Sequence, residues 1–362
     1  MIIYFLNSII LKYSIVEENE NIMKRLTILT TILLTLAIIV TGCGSQETKS
    51  PPDNVSGETM KITFADYGSS AMPTADAYNF SADYIRENSN GRIDIDVVSD
   101  AVLGNETEMI QQLMDGTMQM AIVGSSVFSK YTDKLEAFQL PLLITDYEKE
   151  KIAFSSPEGK ALLDATEDIG LKVIGYAENG IRHFANNTRP INVPEDLNGL
   201  ILRIAPSTML QKSMELLGAN PTPLNYGEVY TALQNKVIDG EEINITSLYA
   251  MKHYETIKYV SEIGLYPFPS LVVVNLDFWN SLSPEDQKLI EEGFDKGSEK
   301  LLNEFLPDFE KESKTACEEA GLKFNVIEDK KAFADKVKPI YEEYKAKDSN
   351  IKAFIEMLEV LE

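Results

Sequence analysis

Two cysteines, two histidines and one tryptophan in 362 residues exclude several kinds of chemistry. If Cys43 is used as argued below, Cys317 stands alone, no intramolecular disulfide is available, and a large core must supply the stability. His183 and His253 are not at a zinc-ligand spacing, so no metal site is expected. The chain has no His-Glu-x-x-His, no Cys-x-x-Cys, no Gly-x-Ser-x-Gly and no glycine loop of the kind that cradles phosphate. The adjacent acids Glu241 and Glu242 fall on a predicted strand, where neighbours point to opposite faces and cannot share a substrate. Nothing here argues for an enzyme or for a cofactor.

Positive charge is also scarce. The formal net charge is −24, and nucleic acid is a poor partner for such a surface. Arginine is scarcer still: beyond residue 42 it occurs only at Arg86, Arg92, Arg182, Arg189 and Arg203, and lysine does the remaining solvation. A planar, permanently charged guanidinium grips a carboxylate with two parallel hydrogen bonds. Three arginines grouped between 182 and 203 are therefore candidates for anion recognition, with surface ion pairing as the alternative.

Long apolar runs are absent beyond the N-terminal region. There, Met23-Lys24-Arg25 precedes an apolar run from Leu26 to Val40 that ends in Val40-Thr41-Gly42-Cys43. This order reads as a secretory signal closed by a lipobox, whose cysteine takes the lipid and becomes the mature N-terminus. A transmembrane helix is the alternative, but the run is shorter than the ~20 residues a span needs. Residues 1–42 are then a signal peptide. Glu17, Glu18 and Glu20 ahead of the basic segment suit export poorly, so translation is expected to start at Met23. Residues 43–57, with Pro51-Pro52, read as a lipid-anchored flexible stalk.

From Met60 onward, strand and helix patterns alternate. Strands are predicted at Ile62–Ala65, Ile93–Val98, Gln119–Val123 and Leu171–Tyr176, and helices at Ala75–Glu87 and Asn105–Met114, with Asn105 as N-cap. A second block has strand Leu200–Ile204, helices Thr208–Leu217 and Gly227–Asn235, and strand Val237–Glu241. Ser270–Val274 is a β-branched strand beyond Pro267 and Pro269. Pro284 opens a long helical pattern to about Glu319, with a kink expected at Pro307, and two further helices follow. Repeated β-α-β order indicates an α/β fold.

Several segments in register carry a family resemblance: Leu103-Gly104-Asn105-Glu106, Asp115-Gly116-Thr117, Glu178-Asn179-Gly180-Ile181-Arg182-His183-Phe184, Pro194-Glu195-Asp196-Leu197, Leu202-Arg203-Ile204, Leu217-Gly218-Ala219-Asn220-Pro221, Glu228-Val229-Tyr230, Val237-Ile238-Asp239-Gly240 and Phe278-Trp279. Together, over Met60 to Phe354, they resemble the DctP-type solute-binding protein of a tripartite ATP-independent periplasmic (TRAP) transporter. The resemblance implies a two-lobed periplasmic-binding-protein-like clamshell with a hinge and a long C-terminal helix spanning both lobes. Lobe I would be 58–179 plus 268–308, and lobe II 180–267 plus 309–362.

The resemblance also implies that the protein captures a small organic acid outside the cytoplasm, in the periplasm or at the outer face of the cell membrane, and delivers it to an ion-gradient-driven TRAP permease. The alternative is a ligand-sensing co-receptor for a membrane sensor kinase. By the same resemblance Arg203 grips the ligand carboxylate, Arg182 supports it and Tyr226 packs over the ligand. Where the family commonly continues Gln-Glu-Asn after Asp239-Gly240, this chain has Glu241-Glu242-Ile243, so either Asn244 or Glu242 takes over from the missing amide or the ligand is less polar on that side. That loss makes hydroxyl-rich sugar acids less expected than dicarboxylates, keto acids or aromatic acids. Tyr67 and Ser125 are candidate contacts from the opposite lobe.

Overall fold

The structure, a computed structural model, describes residues 59–361; the signal segment, Cys43 and the stalk lie outside them. The first block contains β1 (Met60–Ala65), α1 (Pro73–Asn88), β2 (Ile93–Val98), α2 (Glu106–Met114) and β3 (Met120–Gly124). The chain then passes through α3 (Tyr147–Ser155) and α4 (Pro157–Leu163) into β4 (Leu171–Asn186). The second block contains β5 (Ile201–Ile204), α5 (Thr208–Leu217), β6 (Asn220–Pro223), α6 (Val229–Gln234), β7 (Gly240–Asn244), α7 (Ile245–Ala250) and β8 (Tyr259–Glu262). Strand β9 (Pro267–Asn275) leads to α8 (Leu276–Ser281), α9 (Pro284–Lys300), α10 (Leu306–Glu319), β10 (Lys323–Val326), α11 (Lys330–Lys347) and α12 (Ser349–Glu359).

The strands run in the order β2-β1-β3-β9-β4-β7-β5-β6, with β8 joining β4 to β10. Within each block the pairing is parallel (β2-β1-β3 and β7-β5-β6), and β9 and β4 enter antiparallel. Parallel strands covered by helices must be apolar on both faces, and β3 is buried throughout. The fold is thus two α/β lobes that share β4 and β9. The helical run from Pro284 to Glu319 spans both, since α9 packs on α1 and β4 while α10 packs on α7. A side chain at Gly293 would put its Cβ 2.4 Å from Ile85 Cγ1, so only glycine lets α9 approach α1 this closely.

Several elements differ from the sequence reading, each for a local reason. Strand β4 does not stop at Tyr176. It continues through a bulge between Glu178 and Ile181, where Gly180 takes φ +121°. The bulge breaks the period-two pattern that marks a strand. Pro267 and Pro269 belong to β9, opposite this irregularity, where a missing N–H is tolerated. Strand β7 begins at Gly240 rather than Val237, because Val237 N instead closes the turn after α6 onto Ala232 O. The predicted kink at Pro307 takes the form of one π-helical turn at Leu301–Phe305, which absorbs the missing donor without breaking the run. The short strands β6 and β10 carry no sequence signal strong enough to be read. Helix α12 lies against α4, and Phe354 meets Phe138 with ring centroids 4.8 Å apart.

The bulge sits on a pair of acids. Glu178 Oε1 accepts from Gly180 N of β4 (2.6 Å) and Phe268 N of β9 (3.0 Å), tying together the two strands that cross between lobes. Its carboxyl also lies against that of Glu150 from α3. Both residues are fully buried, and neither Glu178 Oε2 nor either Glu150 oxygen has a donor among the described residues. Tyr147, Tyr176 and Glu310 are the neighbouring titratable groups. Two carboxyls without a cation attract only if they share a proton. Burial raises both above the ordinary carboxyl range, Glu178 to about 7. The folded state therefore favours the protonated carboxyls: that contribution is complete below the ordinary value of 4.5, and the Glu178 share of it is lost as the pH rises through about 7, while Glu150, raised well above its ordinary value, keeps its proton. Glu150→Gln, which keeps a donor at every pH, is expected to melt close to the parent at about pH 5 and a few degrees above it at about pH 8. Melting curves that stay parallel across this range would show that the pair holds no shared proton.

Candidate functional site

Strand β5 sends Leu202 and Ile204 into the core and Arg203 to its other face. The Arg203 side chain is 1% exposed. Its Nε and Nη2 both donate to Leu224 O, at 3.1 and 2.9 Å, while Nη1 is buried without a partner. Arg182, just beyond the β4 bulge, is 3% exposed. Its Nη1 donates to Glu242 O at 2.9 Å and lies 3.5 Å from Glu242 Oε2, its plane lies over Phe268 at 3.7 Å, and its Nε has no partner. A buried guanidinium is costly unless its donors are met, so each arginine is held by part of its fork and keeps a buried donor unused.

Burial works against both charges, and the neighbours decide the outcome. For Arg182, burial is the largest single effect and lowers the pKa, but Glu242 together with Tyr266, Tyr67 and Tyr226 outweighs it and holds the pKa above the usual value. For Arg203, burial prevails over Glu242, with the like charge of Arg182 adding to it, and the pKa falls. The two side chains line one narrow cavity together with Tyr67, Glu106, Asn179, Tyr226, Ser247 and Phe268. Tyr67 and Tyr226 meet edge to face with centroids 5.9 Å apart, and Tyr67 OH is 2.7 Å from Ser270 Oγ. Burial raises Tyr226 to about 12, so both rings bring neutral hydroxyls to an apolar wall.

Arg203, Arg182, Tyr226 and Tyr67 are thus brought together, but Glu242, Asn244 and Ser125 do not line the cavity. Glu242 stands behind Arg182, accepting from Tyr266 OH at 2.8 Å and from Ala205 N at 3.4 Å. Asn244 uses its amide nitrogen on Asn179 O and Thr246 Oγ1, which ties β7 to the bulge. Ser125 is buried in the turn after β3. Ile243 packs in a core with Val229 and Leu248, so its replacement of an amide removes no polar group from the cavity wall. Glu241 points the other way from Glu242 and meets His253 Nδ1 at 2.8 Å. Arg189 donates to Asp196 O and Asn198 O and closes a loop away from the cavity.

Among the wall residues that escaped the sequence reading are Glu106, Asn179, Ser247 and Phe268. Glu106 follows the N-cap Asn105, where an acid is explained by the helix start alone. The capping box is in fact closed by Glu108, which frees Glu106 to accept from Gly124 N at 2.8 Å. Asn179 donates to Phe268 O and Ser270 Oγ, so the bulge is also a wall of the site. Among the described residues no group of His, Cys, Asp and Glu is placed to hold a metal ion, and no helix is long and apolar enough to cross a membrane. His183 is kept neutral by burial, its pKa lowered to about 3.

The family model for bacterial extracellular solute-binding proteins, family 7 (DctP), matches residues 64–348. The chain belongs to this family. It is similar to the 2,3-diketo-L-gulonate-binding periplasmic protein of Escherichia coli, with 31% identity over 254 residues, covering 70% of this chain and 77% of that protein. A TRAP periplasmic solute-binding protein from Anaerococcus prevotii, solved with bound D-glucuronate, superposes with a TM-score of 0.79 at 29% identity, covering 83% of this chain and 97% of that one. Another from Desulfovibrio salexigens, with bound orotic acid, gives 0.79 at 25% identity over 83% and 98%. The protein is a two-lobed TRAP solute-binding protein, and its family serves transport rather than catalysis.

Truncating one partner of a desolvated, hydrogen-bonded charge pair costs on the order of 2–5 kcal/mol, or tens to thousands of fold in affinity. Arg203→Ala is expected to weaken ligand binding in calorimetry by that amount, and Arg189→Ala to leave it nearly unchanged. Arg203→Lys should restore little, because an ammonium cannot donate to Leu224 O and to a ligand in the same fork. Normal binding by the lysine variant would rule out the fork.

Proposed function

We propose that this chain captures one small organic acid by its carboxylate, in the cavity shared by the two lobes, and hands it to the membrane subunits of a TRAP permease. The observation that carries the reading is the pair of unpartnered donors, Arg203 Nη1 and Arg182 Nε, on guanidiniums that line a single buried cavity. A carboxylate between them would satisfy both. The acids bound by or named for the relatives, a diketo-gulonate, a glucuronate and an orotate, share that group. Because Ile243 lies in the core, it gives no reason to disfavour hydroxyl-rich sugar acids.

In this reading Arg203 is the main grip and Arg182, fixed by Glu242 and stacked on Phe268, is the second. Tyr226 and Tyr67 cover the ligand from the two lobes, while Glu242 and Asn244 act from behind by holding Arg182 and the bulge. The lobes would be 58–179 plus 268–308 and 180–267 plus 309–362, hinged where β4 and β9 cross. A ligand that touches both lobes stabilises only the closed arrangement. The lipid on Cys43 and the stalk would keep the protein at the outer face of the membrane, near its permease.

Native mass spectrometry of protein purified without refolding is expected to find a bound organic acid, and adding that acid at ~100 times its Kd should stabilise the fold by about 2.7 kcal/mol, read as a higher Tm. A ligand without a carboxylate would overturn the reading. Cys43→Ser is expected to abolish labelling by a radioactive fatty acid and to leave an uncleaved precursor. Unchanged labelling would exclude Cys43 as the anchor.

A further inference from the structure

In and behind the buried cavity, carboxyls outnumber guanidiniums before any ligand arrives. Arg182 and Arg203 supply two positive charges, and Glu106, Glu241 and Glu242 supply three carboxyls, all at most 6% exposed. Two of those carboxyls are engaged: Glu242 lies against Arg182 and Tyr266, and Glu241 against His253. Glu106 differs. It lines the cavity, lies in no ion pair, and its single hydrogen-bond donor among the described residues is Gly124 N.

A ligand carboxylate adds a further anion to this enclosed space, and an uncompensated buried charge is relieved by protonation where a group can accept it. The groups acting on Glu106 are Arg203 and Arg182 across the cavity, with Tyr67 and Asp66 on its own side and Tyr226 opposite. Burial already raises the Glu106 pKa, and the Gly124 N–H and the two arginines oppose it. Once a ligand carboxylate neutralises the arginines, their opposition is cancelled and burial is left to act.

We propose that capture of the acid takes up one proton on Glu106, and that the protonated side chain donates a hydrogen bond to an oxygen acceptor of the ligand. Glu106 Oε1 remains the acceptor for Gly124 N, and Oε2 carries the hydrogen to the ligand. The ligand is then an oxygenated acid, with a hydroxyl, carbonyl or second carboxyl oxygen beyond the clamped carboxylate. Uptake of a proton by the complex makes binding tighter at lower pH, and the loss with rising pH approaches tenfold per pH unit between the free and bound pKa values of Glu106. Asp66 is a rival proton acceptor, since burial raises it to about 7. It is held by Gly68 N and Ser99 Oγ and does not line the cavity.

The inference rests on the reading of the cavity as a carboxylate receptor, and calorimetry separates the two. D-glucuronate and orotate are titrated into the folded protein across a pH series, in buffers of different ionisation enthalpy. The acid that binds is expected to do so with a net uptake approaching one proton and with affinity falling as pH rises. Glu106→Gln is expected to bind with no proton uptake and no pH slope, whereas Asp66→Asn should retain both. Binding of the parent without proton uptake overturns the inference and leaves the receptor reading intact, and so does uptake that persists in Glu106→Gln. Loss of all binding in a folded Glu106→Gln protein would show that the ligand needs a carboxylate acceptor there, which also overturns it. If neither acid binds the parent, the receptor reading for this ligand class falls and the inference falls with it.

Discussion

The structure is arranged around two desolvated guanidiniums that are only partly satisfied by the protein. Burying Arg203 and Arg182 is tolerable because Leu224 O, Glu242 and the Phe268 ring meet part of each fork. A buried donor on each, Arg203 Nη1 and Arg182 Nε, is left unmet. A fully satisfied arginine would be a structural ion pair, and a fully unsatisfied one could not stay buried. The intermediate condition is what a receptor for an anion requires.

The same constraint reaches into the hinge. Arg182 follows directly on the β4 bulge, whose Gly180 conformation and Asn179 bonds to β9 define both the crossing between lobes and one wall of the cavity. Glu178 secures that crossing by joining β4 and β9 through two backbone N–H groups. The cavity wall and the crossing between the lobes are therefore one piece of structure. A change in either the clamp or the buried Glu150–Glu178 pair is transmitted through the few residues from Glu178 to Arg182.

Much of this was legible in the sequence because it rests on periodicity and on residue chemistry. The β-α-β alternation gives the α/β class, Asn105 marks a real cap, and the scarcity of arginine points to the group Arg182, Arg189 and Arg203, from which the family resemblance singles out Arg203 and Arg182. What was missed depended on geometry that spacing does not encode. The bulge interrupts β4 where a strand signal ends, so a 16-residue strand read as a short one. Glu242 and Asn244 were read as wall residues because their types suit a ligand, yet the register of β7 against β4 places them behind the wall, on Arg182 and Asn179. Glu106 was hidden by having an ordinary explanation at a helix start.

The most direct test of the account is a crystal structure of the protein with its acid bound. The ligand carboxylate is expected within about 3 Å of both Arg203 Nη1 and Arg182 Nε, the two donors that the protein leaves unused. A ligand carboxylate bound elsewhere, with those two nitrogens still unpartnered, would contradict it.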